Sequence, residues 1–217
     1  MHWVYYFGRV LIYILLAPFG WIRVVGKENV PDKGPVLIVS NHLSLGDPPL
    51  IAASIKLKAV IMAKEELFQH PWSRFWVKNF GAFPVRRDGV DRQALKDAES
   101  WLNKGISLII FPEGRRSLNA AMEPALPGAA LLAARLGVPI LPVGITGTEK
   151  LNHLKHCFFH RTKVVITIGK PFKPPAIHGR ITREHRNALI HDMMKEIAAL
   201  LPPEYRGVYA GENDAES

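Results

Sequence analysis

From residue 35 onward the chain alternates short apolar runs with stretches of helical spacing, and this alternation restricts the fold more than any other feature. PVLIVS (35–40), AVIMA (59–63), GAFPV (81–85), ISLIIF (106–111), VPILPV (138–143) and KVVITIG (163–169) read as buried strands. Residues 48–57, 71–79, 91–104 and 127–136 lie between them with helical periodicity, and 182–200 follows the last run. In 91–104 the apolar face is Ala94, Leu95, Ala98, Trp101 and Leu102, and 182–200 opens on Thr182 as an N-cap and stops at Pro202-Pro203. Strand, helix, strand in this order predicts a single α/β domain with a mostly parallel or mixed sheet flanked by helices. No linker or repeat divides it. The domain is expected over 25–205, with 206–217 a polar C-terminal tail whose last residues, GENDAES, are frayed.

The first 24 residues differ from the rest. MHWVYYFGRVLIYILLAPFGWI carries one charge, Arg9, and is long enough to span a bilayer. Arg9 sits mid-segment, Pro18 and Gly20 interrupt its end, and Trp3, Tyr5, Tyr6, Phe7, Tyr13, Phe19 and Trp21 are aromatic. Tyr and Trp favour the headgroup level over the hydrocarbon centre. The signs of a signal peptide, a basic start and a small-residue cleavage site, are not clear. Residues 1–24 therefore read as an interfacial membrane-anchoring helix, the alternative being a buried first helix of the domain. Arg23 and Lys27 follow it and suit the anionic, cytoplasmic face of a membrane.

Composition narrows the partners. The 217 residues are 48% apolar and 22% charged, which is globular. A formal charge of +9 favours lipid headgroups, phosphorylated substrates, acidic carrier proteins or nucleic acid without choosing among them. A lone cysteine, Cys157, leaves no internal disulfide and points to a reducing compartment.

Ligands of open α/β sheets collect at the carboxyl ends of the strands. Three segments just past apolar runs stand out there: NHLSLGD, RRDG and PEGRRS. They bring a histidine, aspartates, a glutamate and four arginines to one rim. His42 and Asp47 are five residues apart, about 140° on a regular helix, so they meet only if the segment turns, for which Gly46 offers freedom. Asp47 ahead of Pro48 also reads as the N-cap of helix 48–57, with no chemistry required. His42 likewise could simply bond backbone at the rim. A metal site needs further ligands that the neighbourhood lacks, and without a G-x-S-x-G elbow Ser44 does not read as a nucleophile. What remains is a base held by a carboxylate, suited to deprotonating a substrate hydroxyl for direct attack on an activated acyl group. Arg86 with Arg87, and Arg115 with Arg116, make two guanidinium pairs that fit a phosphate; solvated surface charge is the plainer reading of any one of them.

NHLSLGD, GAFPVRR, FPEGRRS and VPILPVGI, spanning residues 41 to 145, resemble in order and spacing the four motif blocks of the glycerolipid acyltransferases. The chain looks most like the bacterial 1-acyl-sn-glycerol-3-phosphate acyltransferases, in which an N-terminal membrane-associating segment is usual. The resemblance implies His42 as the acid-base histidine and Asp47 as its orienting carboxylate. Arg87 and Arg116 match the arginines associated with the acceptor's phosphate. Glu113 and Gly114 match the core of the third block, which lines the acceptor site, and Pro142 matches a proline on the acyl-donor side. Arg86 stands where relatives often carry an acidic residue and Arg115 where threonine is common, and both add positive charge beside the phosphate. The implied reaction is direct acyl transfer from acyl-CoA or acyl carrier protein, as co-substrate rather than cofactor, to a lysophospholipid acceptor. The expected product is phosphatidic acid, made at the cytoplasmic face of the cell membrane.

Other readings are weighed against these. The acceptor could be glycerol 3-phosphate or another lysolipid, or the dyad could serve a membrane-surface lipid hydrolase. HLKHCFFH places His153, His156 and His160 on one face of a helix, as in some zinc sites, but no partner cluster exists and a weakly basic loop explains it as well. No metal is expected. No nucleic-acid motif is visible, and the aromatics cluster away from the arginines.

Overall fold

The computed structural model describes residues 20–79, 81–86, 91–152, 162–176 and 179–211. Seven strands form one sheet: β1 (Gly20–Val25), β2 (Leu37–Ser40), β3 (Ala59–Lys64), β4 (Ala82–Val85), β5 (Ser107–Ile110), β6 (Ile140–Thr146) and β7 (Thr162–Ile168). Their order is β1-β7-β6-β2-β5-β3-β4. From β6 to β4 every neighbouring pair is parallel, whereas β7 returns antiparallel to β6 and β1 lies parallel to β7. The helices are α1 (Asp47–Ser54), α2 (Pro71–Asn79), α3 (Arg92–Asn103), α4 (Pro127–Leu136) and α5 (Arg183–Ala199).

The central strands are apolar throughout because both faces are covered. Leu37 and Val39 of β2, with Leu108 and Ile110 of β5, pack against Ala94, Ala98, Ala130, Ala133 and Met193 of α3, α4 and α5. The intervening Ile38 and Ile109 point the other way, onto Leu50, Ile51 and Ile55 in and just past α1. The period of two in a pleated strand thus builds two cores from one run. The helix ends follow ordinary capping chemistry. Asp91 accepts from the N–H groups of Gln93 and Ala94 at α3, Thr182 and His185 form a capping box at α5, and α4 ends on left-handed Gly137.

All six expected strands and five expected helices are present; 71–79 and 127–136 keep the expected bounds and the others have shifted ends. Two expectations at the termini change. Residues 20–24, expected at the end of an anchoring helix, belong to edge strand β1, where Ile22 and Val24 pack inward while Trp21 and Arg23 are exposed. Strand pairing with β7 satisfies the backbone there; residues 1–19 lie outside the described residues. Residues 206–210, expected in a polar tail outside the domain, fold back: Val208 N–H donates to the Met122 carbonyl, and Gly207 takes a left-handed conformation (φ 54°) against Met122.

The connections leave β2 and β5 in opposite directions. From β2 the chain crosses by α1 to β3 beyond β5; from β5 it crosses by α4 to β6 beyond β2. Opposite departures on opposite faces open a crevice at the carboxyl ends of these two strands.

A Cβ at residue 207 would come 2.1 Å from the Met122 carbonyl oxygen. Gly207→Ala is therefore expected to cost about 1–3 kcal/mol of stability, lowering Tm by about 2–4 °C per kcal/mol in a thermal melt. An unchanged melt would mean that the C-terminal coil does not hold the Met122 loop.

Candidate active site

Just past β2, the Asn41 side chain continues the ladder toward β6, donating to the Ile145 carbonyl and accepting from the Ile145 N–H, both at 2.9 Å. With an amide doing the work of a strand rung, the backbone is free to turn. The turn from His42 to Asp47 closes on one oxygen. Asp47 Oδ2 accepts from Leu43 N–H at 2.6 Å and Ser44 N–H at 2.7 Å, and lies 2.8 Å from His42 Nδ1. Asp47 is wholly buried and His42 is 8% exposed. An oxygen already accepting two amide hydrogens is an acceptor for the ring as well. Nδ1 therefore carries the proton, and Nε2 is left as the basic nitrogen.

This geometry decides between the readings of Asp47 left open by sequence. The residue is the first of α1 rather than its N-cap, which is Gly46, and no side chain caps the helix. Its carboxylate points back to His42 instead, while staying at the positive end of α1. Gly46 has an ordinary right-handed conformation (φ −77°, ψ −16°), so the turn does not draw on glycine's freedom. The carboxylate itself shapes it.

The loop after β5 packs against this turn. Phe111 stacks on the His42 ring with centroids 4.1 Å apart. Glu113, 4% exposed, accepts from His42 N–H through Oε1 at 3.1 Å and from Glu123 N–H through Oε2 at 2.9 Å. Ser117 N–H donates to the His42 carbonyl at 2.8 Å. His42 is thus held at Nδ1, N–H and carbonyl by three separate groups. Burial, opposed in part by those two N–H groups, pushes the Glu113 carboxyl up from 4.5 to about 7.

The remaining sequence candidates divide. Gly114 sits in the same loop with φ 70°, beside the Leu126 side chain, and its left-handed backbone favours glycine. Arg115 and Arg116 follow on the exposed side of the loop, where Arg115 pairs with Glu123. Arg86 directly follows β4, three strands from β2 and roughly 14 Å away at the usual strand spacing, with its N–H on Asp91. Arg87 lies outside the described residues. Pro142 is inside the sheet, in register with Val39, and touches Gly169 rather than the rim. His153, His156, Cys157 and His160 are also outside the described residues. Among the described residues no three His, Cys, Asp or Glu side chains gather as metal ligands.

Asn41, Phe111, Ser117 and Glu123 were not singled out by sequence. The first three flank or belong to the NHLSLGD and PEGRRS segments, which is the signal they offered; Glu123, which meets Glu113 through its N–H and Arg115 through its carboxylate, had none.

Comparison with known proteins bears on the family and the fold. A family model described as Acyltransferase matches residues 21–146, which include both loops of the site. The 1-acyl-sn-glycerol-3-phosphate acyltransferase of Bacillus subtilis is 28% identical over 169 residues, covering 77% of this chain and 82% of that protein. The protein of the same name from Streptococcus pneumoniae is 32% identical over 174 residues, 79% of this chain and 62% of its own length. The crystal structure of the 1-acyl-sn-glycerophosphate (LPA) acyltransferase PlsC from Thermotoga maritima has the same fold, with a TM-score of 0.69 at 31% identity over 91% of this chain and 78% of that one. With a match over more than half its length and a histidine–aspartate dyad at the crevice, the chain belongs to the acyltransferase family.

Proposed function

We propose that this chain transfers a fatty acyl group from a thioester, acyl-CoA or acyl carrier protein, to the free hydroxyl of 1-acyl-glycerol 3-phosphate, giving phosphatidic acid. The observation that carries this reading is the contact of His42 Nδ1 with a carboxylate oxygen already held by two amides. The named activity of the Bacillus, Streptococcus and Thermotoga relatives supports the acceptor.

His42 Nε2 removes the proton from the acceptor hydroxyl as the oxygen attacks the thioester carbonyl. Asp47 steadies the imidazolium that forms. When the tetrahedral intermediate collapses, the carbon–sulfur bond breaks and Nε2–H returns its proton to the thiolate. The thioester supplies its own activation, so the reaction draws on no cofactor beyond the co-substrate. Arg116 and Arg87 are assigned to the acceptor's phosphate, where a guanidinium binds two oxygens at once. Glu113 braces the backbone that carries the base. Because acceptor and product are both lipids, the enzyme works at a membrane surface. A donor made inside the cell puts that surface on the cytoplasmic side, with residues 1–19 helping to hold the enzyme there.

Four outcomes are expected. In a radiolabelled acyl-CoA transfer assay offering lysophosphatidic acid, glycerol 3-phosphate and a neutral lysolipid, product forms on the lysophosphatidic acid. His42→Ala and Asp47→Asn lower kcat by about 10²–10⁴-fold without unfolding the protein; activity that survives in His42→Ala refutes the mechanism. Arg116→Ala raises KM for the acceptor roughly tenfold or more, the worth of a charge-assisted hydrogen bond. Arg115→Ala, whose guanidinium is already paired with Glu123, changes it less.

The fourth concerns pH. Between 4.5 and about 7 the native Glu113 keeps a proton that the unfolded chain has released. The native state therefore loses stability as pH rises through that window, by about 3 kcal/mol once both forms are ionised. Glu113→Gln, which does not titrate, should show a flatter dependence of Tm on pH between these values. Parallel curves for the two proteins would show that Glu113 titrates as in the unfolded chain.

A further inference from the structure

The face of the sheet covered by α3, α4 and α5 carries a groove that lies apart from the dyad. It encloses about 710 Å³ and is bounded by all three helices and by the segment leading into α5. None of its lining residues belongs to the loops 41–47 or 111–123. Leu95 of α3, Leu131 of α4 and Ile181 give it an apolar lining. Around them stand four cations: Arg92 and Lys96 of α3, Arg135 of α4 and Arg186 of α5.

Arg135 is neutralised across the α3–α4 contact, its Nη1 lying 3.3 Å from Glu99 Oε1. Arg92, Lys96 and Arg186 form no ion pair among the described residues. Arg92 and Lys96 are four residues apart on α3, a spacing at which like charges repel. Arg92 also opens that helix, at the positive end of its dipole. Arg186 is half-buried, and its Nε is buried without any hydrogen-bond partner. A buried donor with no acceptor is costly and calls for an explanation. All three placements lose stability unless an anion lies between them.

The lining narrows the class of anion. Guanidinium groups bind phosphate oxygens two at a time, and the leucines and isoleucine favour an apolar body beside the phosphate. An α-helix is about 10–12 Å across, so two turns of one fill roughly 1,000 Å³ and exceed the groove. Sites of about 300–1,000 Å³ hold small molecules. We propose that this groove is a second binding site, for a small organic phosphate with an apolar portion. Arg92, Lys96 and Arg186 hold the phosphate over Leu95, Leu131 and Ile181. Such a ligand bridges α3 and α5 and stabilises the native state by mass action. Two sources share this chemistry, a soluble nucleotide and the phosphate end of a glycerolipid.

The test uses the full-length chain in detergent micelles. ATP without metal represents the nucleotide and dihexanoyl phosphatidic acid the lipid phosphate; inorganic phosphate and adenosine each lack one half of the ligand. At least one of the first two should bind in calorimetry, raise Tm and slow amide hydrogen exchange over 179–186. Whichever binds tighter names the source. Inorganic phosphate and adenosine should bind at least tenfold more weakly. Arg92→Gln and Arg186→Gln should each weaken binding about tenfold, the effect of one charge-assisted hydrogen bond, while His42→Ala leaves it unchanged. Arg92 is exposed, so its variant keeps the test sound should Arg186→Gln fail to fold.

No binding by either organic phosphate would overturn the proposal. So would binding that slows exchange only in 41–47 and 111–123, because the ligand would then sit at the dyad. Binding undiminished in folded Arg92→Gln would overturn it too, as would inorganic phosphate binding as tightly as the organic ones. None of these readings depends on acyl transfer, so a failure of the proposed reaction is told apart from a failure of the second site.

Discussion

The site is organised around one carboxylate oxygen. Asp47 Oδ2 gathers the Leu43 and Ser44 N–H groups and the His42 ring, and Asp47 is itself wholly buried. Such a charge is tolerable away from water only because donors converge on it and the first turn of α1 lies at its back. The same convergence makes a tight turn out of residues with ordinary backbone angles. It also selects the imidazole tautomer that leaves Nε2 basic. Local shape, burial and chemistry here are consequences of a single set of hydrogen bonds.

A second carboxylate ties that turn to the rest of the molecule. Glu113 joins the His42 N–H to the Glu123 N–H, and the neighbouring Met122 is clasped by Gly207 and Val208 from the C-terminal coil. The C-terminal coil is thereby joined to the base through hydrogen bonds to the Glu113 carboxyl and to the Met122 backbone. The arrangement has a cost, since burial drives the Glu113 carboxyl up to about 7 and part of the ionised form's stability is lost. Groups held at a functional site often carry such a shift, and here its source is desolvation by the fold rather than a neighbouring ligand.

How much was legible beforehand varied with how completely a segment is buried. The strands of the central sheet announced themselves because a strand covered on both faces is apolar at every position, as Leu37 to Val39 and Leu108 to Ile110 show. Strand β1 did not, because it is an edge strand with exposed Trp21 and Arg23, and its sequence merges into the aromatic stretch before it. The turn at Gly207 was hidden for a related reason: a short 3-10 segment has no periodicity, and only its partner, Met122, explains it.

The site followed the same division. Sequence alone brought His42, Asp47, Glu113 and the Arg115–Arg116 pair to one rim, because residues that follow strands of a parallel sheet must emerge at its carboxyl end. It could not choose between Asp47 as a helix cap and Asp47 as the partner of His42, since both place the residue at the start of the same helix. That choice was made by where the carboxylate's oxygens point. Nor could it separate Arg86, carried off by three strands of sheet order, from the arginines beside the dyad. Spacing along a chain sets which end of the sheet a residue reaches. The distance across the sheet, and which polar groups are left without water, are properties of strand order and packing, and only the tertiary structure decides them.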